Sequence, residues 1–266
     1  MTERTGSVTA SDATLIARTR RGDHAAFHSL ATRHRQALDD LAALLDGRAA
    51  DLVDEALDTA FQRLRRVHGP TVWVRGYLLQ LVCQLHAQHL TPGWGPVSTM
   101  GTTGELADDA VPFRDHQLSG AHDAVATEFA GLAEAWQAAL WHRTAECETD
   151  PEVATVVGVS PAMVGALVDS ARGELRRSLL GSRWAQPLPA PCRAHTRRLA
   201  ASRHGIPPRA VLRHTAVCRG CAQLVADLDA VDRELPEVLA RHLLGSVGDS
   251  YLELRRAVAH ERVSGL

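Results

Sequence analysis

Three cysteines and a histidine in the C-terminal part of the chain have the types and spacing of a metal site. The segment His214-Thr-Ala-Val-Cys-Arg-Gly-Cys sets His214, Cys218 and Cys221 in an H-x3-C-x2-C pattern, and Cys192 stands upstream in Pro191-Cys-Arg-Ala-His. Four thiolate and imidazole donors are the number that tetrahedral Zn2+ requires, and such ligands select zinc over hard cations. With no vacant position, the site is expected to be structural rather than catalytic. His195 shares a helical face with Cys192 and is the alternative fourth ligand. The other two of the five cysteines, Cys83 and Cys147, sit singly in apolar helical patterns and read as plain buried thiols. The odd number and the absence of an export signal speak against a disulfide framework.

No other constellation suggests chemistry. There is no glycine-rich phosphate loop, no Gly-x-Ser-x-Gly elbow and no paired-carboxylate motif, so no catalytic residue is expected and the chain does not read as an enzyme. All 29 basic residues are Arg, and the formal charge of −2 excludes a uniformly basic nucleic-acid binder, leaving only local patches. Seven Arg and no acid fall between Cys192 and Cys221, whereas Glu128 to Leu180 holds four Arg against eight acidic residues. The basic segment can face that acidic block or nucleic acid. No run of eighteen apolar residues occurs and the stretch from Met1 to Asp12 is polar, which predicts a cytoplasmic protein with no membrane contact.

The elements that must position these residues are helices. At 266 residues the chain suits several small cores. Apolar residues recur at spacings of three and four without sustained alternation, so the fold class is all-α. The pattern opens at Asp12, resumes after Gly22-Asp23, starts again near Ala49 and once more after Gly69-Pro70, giving a first helical domain over residues 13–91. Residues 92–127 are rich in Pro, Gly, Thr and Asp and read as a flexible linker. A second helical domain covers 128–180, a Pro-rich hinge follows, the zinc module takes 191–240, and 241–266 forms a helical tail of obscure role.

Within the second domain, residues 151–157 read as a short helix, Gly158-Val159-Ser160 as a tight turn and 161–180 as a longer helix, with Ser160 a good N-cap and Pro161 at the favoured first position. This is either an ordinary αα-hairpin or a DNA-binding helix-turn-helix. In the second case Ala162, Met163, Gly165, Ala166, Asp169 and Ser170 face outward, while Val164, Leu167, Val168, Ala171 and Leu175 face the core.

Taken in order, these segments resemble the extracytoplasmic-function sigma factors, in the long actinobacterial form with a cysteine-bearing tail. Leu15-Ile-Ala-Arg-Thr-Arg-Arg-Gly-Asp-His-Ala-Ala-Phe resembles the opening of sigma region two, and Asp51-Leu-Val-Asp-Glu-Ala-Leu the segment that grips the polymerase clamp. Arg75-Gly-Tyr-Leu-Leu-Gln-Leu-Val resembles the helix that melts the promoter and reads its minus-ten element, and Trp136-Gln-Ala-Ala-Leu-Trp-His-Arg-Thr with the helix-turn-helix resembles region four. The cysteine segment is similar to zinc-binding anti-sigma domains. The resemblance implies polymerase contacts at Asp51, Leu52, Asp54 and Glu55. It implies promoter DNA contacts at Arg75, Gln84 and Gln88, and at Ser160, Arg172 and the outward positions of the second helix. Cys192, His214, Cys218 and Cys221 would hold the zinc.

The chain departs from the family where DNA would be touched. Its early outward positions are Gly, Ala and Asp rather than Arg or Lys, and Gln and His stand in Cys83-Gln-Leu-His-Ala-Gln-His-Leu where the family has an Arg pair. Phosphate neutralisation supplies much of DNA affinity, so weak or polymerase-tethered binding is expected. The leading expectation is a sigma factor that binds core RNA polymerase and promoter DNA, with the zinc module as an intramolecular or separate anti-sigma contact. The alternative is a degenerate sigma-like regulator acting through protein contacts alone.

Overall fold

The computed structural model describes residues 10–45, 49–90, 120–183, 190–200 and 208–264, and every regular element among them is helical. Ser11 caps α1 (Asp12–Arg20), accepting a hydrogen bond from the Thr14 N–H. Helices α2 (His24–Leu45), α3 (Ala49–Arg65) and α4 (Val74–Leu90) follow, and their apolar stripes meet at Leu15, Ile16, Leu30, Leu38, Leu41, Val53, Ala56 and Leu79.

Helix α5 (Gly120–Ala130) takes in the last residues of the expected linker. This corrects the boundary at 127: Val125 and Phe129, one turn apart, are both fully buried, and that apolar pair outweighs the surrounding Gly and Asp. The rest of the linker lies outside the described residues. Helix α6 (Glu134–Leu140) runs into a π-helical turn, Trp141–Ala145, then α7 (Asp150–Val157) and α8 (Pro161–Arg183). The smaller elements α9 (Ala190–Ala200) and α10 (Arg209–Thr215) precede α11 (Arg219–Leu244), and a short 3-10 turn leads to α12 (Gly248–Ser264).

The blocks that look separate in the sequence share one core. It holds Leu15 to Leu85, Val125 to Leu179, and Leu235, Leu239, Leu243, Tyr251 and Leu252 from the C-terminal helices. The tail thus has a packing role that its sequence hid. Gly248 is required where α12 crosses α11, because a Cβ there would lie 2.6 Å from the Ala240 backbone. A smaller core of Leu180, Leu199, Val211, Leu224 and Leu228 lies under the metal cluster. Helix α11 belongs to both cores, its first half to the small one and its second half to the large one.

Two polar contacts fix the second block on the first. The Glu134 carboxylate, at the start of α6, accepts hydrogen bonds from the backbone N–H groups of Thr71, Val72 and Trp73 at 2.7, 2.7 and 3.1 Å, just before α4. Burial alone would raise its pKa, but these three donors hold it below the usual carboxylate value.

The second contact is an ionic cluster in the interior. Glu146 is fully buried, and its Oε1 accepts from Trp141 Nε1 at 2.9 Å and from the Tyr251 hydroxyl at 2.6 Å. Its Oε2 lies 2.9 Å from Arg75 Nη1 and 2.8 Å from Arg255 Nε. Both guanidinium contacts are ion pairs whose angles fall outside hydrogen bonding. Arg75 also reaches Glu148 at 3.4 Å, Glu148 meets His142 Nδ1 at 2.9 Å, and Arg255 pairs with Asp40 at 2.8 Å. On the far side Arg75 Nε donates to His34 Nδ1 at 2.8 Å. The His34 proton therefore sits on Nε2, which donates to Asp12 at 2.8 Å, and Asp12 pairs in turn with Arg33.

Removing one partner of a buried ion pair strands the other charge. Glu146→Ala leaves both Arg75 and Arg255 short of an anion and is expected to cost about 3–5 kcal/mol in urea unfolding. Arg262→Ala, which breaks the exposed pair with Glu152, should cost under about 1 kcal/mol in the same assay. Equal losses would refute the role given to Glu146.

The cluster also sets a pH dependence. Burial, with Arg75 and His142 alongside, holds the His34 pKa below its usual 6.5 although Asp12 opposes this. As pH falls below 6.5 the unfolded chain takes up a proton at His34 that the folded chain refuses, so stability declines through that window. His34→Gln can keep both hydrogen bonds without titrating. Thermal melts between about pH 7.5 and pH 5.5 should show a shallower decline for the variant, and an unchanged slope would sink the assignment.

Candidate metal centre and helix-turn-helix

Each ligand of the Cys/His group is delivered by a helix end. Cys192 stands in the first turn of α9, His214 in the last turn of α10, Cys218 at the N-cap of α11 and Cys221 in its first turn. The turn between α10 and α11 is closed by the Val217 and Cys218 N–H groups, which donate to the His214 carbonyl at 3.1 and 2.9 Å. It thereby brings His214 and Cys218 to one corner.

The four donor atoms lie within 4.8 Å of one another. Cys192 Sγ is 3.6 Å from His214 Nε2 and 3.9 Å from Cys218 Sγ. A tetrahedral ion with bonds of about 2.3 Å to sulfur and about 2.0 Å to nitrogen demands edges of about 3.8 Å between sulfurs and about 3.6 Å from sulfur to nitrogen. The spacing suits an ion at the centre, and the cysteines are free, at nearly twice a disulfide bond length of about 2.05 Å. These residues can therefore hold a metal ion.

The surroundings treat the thiols differently. The Cys221 and Gly220 N–H groups at the start of α11 point at the Cys218 sulfur and pull its pKa down, whereas burial pushes the Cys221 thiol up to about 12. The His195 ring stacks on His214, with centroids 4.1 Å apart and planes within 10°. His195 is not in the ligand group; it backs the ligand ring, and Cys192 takes the position for which the two were alternatives.

The helix-turn-helix expected from sequence is present as a shape. Helices α7 and α8 meet through Gly158, whose φ of 83° needs glycine, and the chain bends by 78° between them. Thr149 and Glu152 form a capping box at the start of α7, and the Thr-x-x-Glu spacing could have disclosed it in the sequence. Ser160, Ala162, Met163, Gly165, Ala166 and Ser170 are exposed, Asp169 and Arg172 half-buried, and Val164, Val168, Ala171 and Leu175 buried. Two of the arginines on α8 are held in internal pairs, Arg176 with Asp232 and Arg177 with Glu174.

Two of the expected contact residues are corrected. Arg75 was expected to face DNA, but it is 4% exposed and held by Glu146, Glu148 and His34, because a charge sealed in a core must be paired. Leu52 was expected to face polymerase and is instead 5% exposed, packed in the main core by the apolar stripe of α3. Around it Asp51, Asp54 and Glu55 are exposed, with Asp54 paired to Arg35 and Glu55 to His89. Gln84 is half-buried and Gln88 exposed on α4. Sequence reasoning missed Glu146, His34 and Arg255, whose partners are remote in the chain.

The small core has five buried apolar residues, too few to order α9 and α10 without a cross-link. Stripping metal with a chelator, or Cys218→Ser, should therefore deprotect backbone amides of α9 and α10 in hydrogen exchange while the main core keeps its protection. Uniform loss or no loss across the chain would contradict this. No single helix among the described residues is long and apolar enough to cross a membrane.

A comparison of the chain with protein-family models, with curated proteins and with solved structures finds no match in any of the three.

Proposed function

We propose that this chain is a cytoplasmic sigma-like transcription factor: its two helical blocks engage core RNA polymerase and promoter DNA, and a zinc-bound module regulates them. The observation that carries the reading is the α7–α8 pair. It joins a glycine-turned bend of 78° to a second helix whose early outward positions are open to solvent. The exposed acidic face of Asp51, Asp54 and Glu55 supports docking on a basic polymerase surface. Zinc is favoured for the Cys/His group because three thiolates and one imidazole in a closed tetrahedron suit it, in a structural role. No catalytic residue enters the proposal.

A specific observation favours a second reading. With Arg75 sealed in the core, Arg176 and Arg177 paired, and Arg172 the cation left on the described part of α8, the described residues offer few free cations at the positions that resemble DNA-contacting ones. A regulator that binds polymerase or another sigma factor, without reading a promoter, needs none.

Run-off transcription with actinobacterial core polymerase over a promoter library separates the two. The expected outcome is promoter-specific transcript, with a loss on Met163→Asp, which places an anion on the outward face of α8. Polymerase binding with no transcript from either protein would favour the second reading, and absence of polymerase binding would refute both.

A further inference from the structure

Among the described residues, the densest group of unpaired cations lies at the metal corner, not on the helix-turn-helix. From Leu175 to Ala226 the sequence contains no acidic residue. Six arginines of the metal module, Arg193, Arg197, Arg198, Arg209, Arg213 and Arg219, are exposed, and none is ion-paired to a described residue. In a chain whose net charge is −2 this concentrates cations in one place.

Their arrangement follows from the ligand set. Arg193, Arg213 and Arg219 are each next in sequence to a ligand, namely Cys192, His214 and Cys218. Neighbouring Cα atoms are about 3.8 Å apart, and the ligand atoms lie within 4.8 Å of one another, so these three backbone positions are gathered round one corner. Arg197 lies one turn beyond Arg193 on α9, and Arg209 one turn before Arg213 on α10, steps of about 6 Å along each helix. The six carry no carboxylate among them to reject a phosphate, α9 and α10 hold no Phe, Tyr or Trp to stack on a base, and their two imidazoles, His195 and His214, stack on each other.

We infer that this corner is a binding face for the phosphate backbone of duplex DNA, independent of sequence, and that the metal assembles it by holding three arginine-bearing segments together. The inference does not rest on the sigma-like reading, because the face needs neither polymerase nor promoter. It gives a polyanion a site that α8 lacks. The exposed Leu212 and Val217 beside it make an anionic bilayer the competing occupant, but six cations against two apolar side chains favour phosphate.

The test is fluorescence anisotropy of the full-length protein with a labelled random-sequence duplex over a range of salt. Log affinity should fall with log salt at about −0.9 per phosphate contacted. Changing Arg193, Arg197, Arg209 and Arg213 together to Gln should weaken binding at least about tenfold at low salt and flatten the slope by about 3. The same four changed to Lys should bind within a few-fold of the parent, since Lys serves phosphate as a point charge, which separates lost charge from misfolding. Arg65→Gln, at the end of α3, with Arg66→Gln, in the turn after it, should change little. Stripping metal should weaken binding, and adding zinc back should restore it. Binding that survives the Gln variant or metal removal, or that is lost instead on Met163→Asp in α8, overturns the inference. So does binding to phosphatidylserine vesicles without binding to DNA.

Discussion

Moving a guanidinium out of water costs several kcal/mol, and Arg cannot escape by losing its proton, so a buried Arg obliges the fold to supply an anion. Arg75 and Arg255 impose that demand on α4 and α12, and Glu146, between the π-helical turn and α7, meets both. The carboxylate can do so only if its remaining oxygen is also satisfied, which is the part played by Trp141 and Tyr251. Three segments far apart in the chain are thereby set in one relative position. A slip of any of them by one residue would strand a charge. The π-helical turn suits this task, since the wider turn carries Trp141 and His142 into the interior just before the two glutamates.

The molecule thus has an ionic cluster in its large core and, beside its small one, a Cys/His corner able to hold a metal ion. The large core, with many buried leucines and a fully buried Trp141, has enough apolar area to carry an ionic cluster that by itself contributes specificity more than stability. The small core cannot, and a Cys/His corner there closes α9 and α10 onto α11. Helix α11, 26 residues and about 39 Å long, is the beam between them. Its second half packs against α12, and Pro236 within that half removes one hydrogen bond from the helical ladder beyond the small core.

What the sequence disclosed was local. Periods of three and four placed the helices, the glycine and Ser-Pro pair placed the α7–α8 turn, and H-x3-C-x2-C placed three of the ligands, because each signal lies within a few residues. The fusion of the blocks into one core was not legible, because it turns on pairs such as Arg75 with Glu146 and Arg255 with Asp40, which no short window contains. The family resemblance implies a DNA contact at Arg75, and no short window shows its buried partner Glu146. Helix α5 was partly hidden by its Gly and Asp, whereas α12 was legible as a helical tail and only its packing, with Tyr251 and Arg255 pointing inward, was not.

The two surfaces proposed to meet DNA differ in charge. The outward face of α8 is small and nearly neutral, whereas the metal corner is basic and unpaired. Under the sigma-like reading this divides the work: the corner would supply affinity without sequence, and α8 would add shape-dependent contact of low intrinsic strength. Any partner that needs Arg75 must also displace it from Glu146. A ligand moves such an equilibrium only by its differential affinity for the two states, so tight binding to the closed form would leave Arg75 where it is. Only a partner that offers Arg75 a new anion, and Glu146 a new cation or water, can open the cluster. A polymerase surface combined with DNA phosphate has both, whereas DNA alone has only the first.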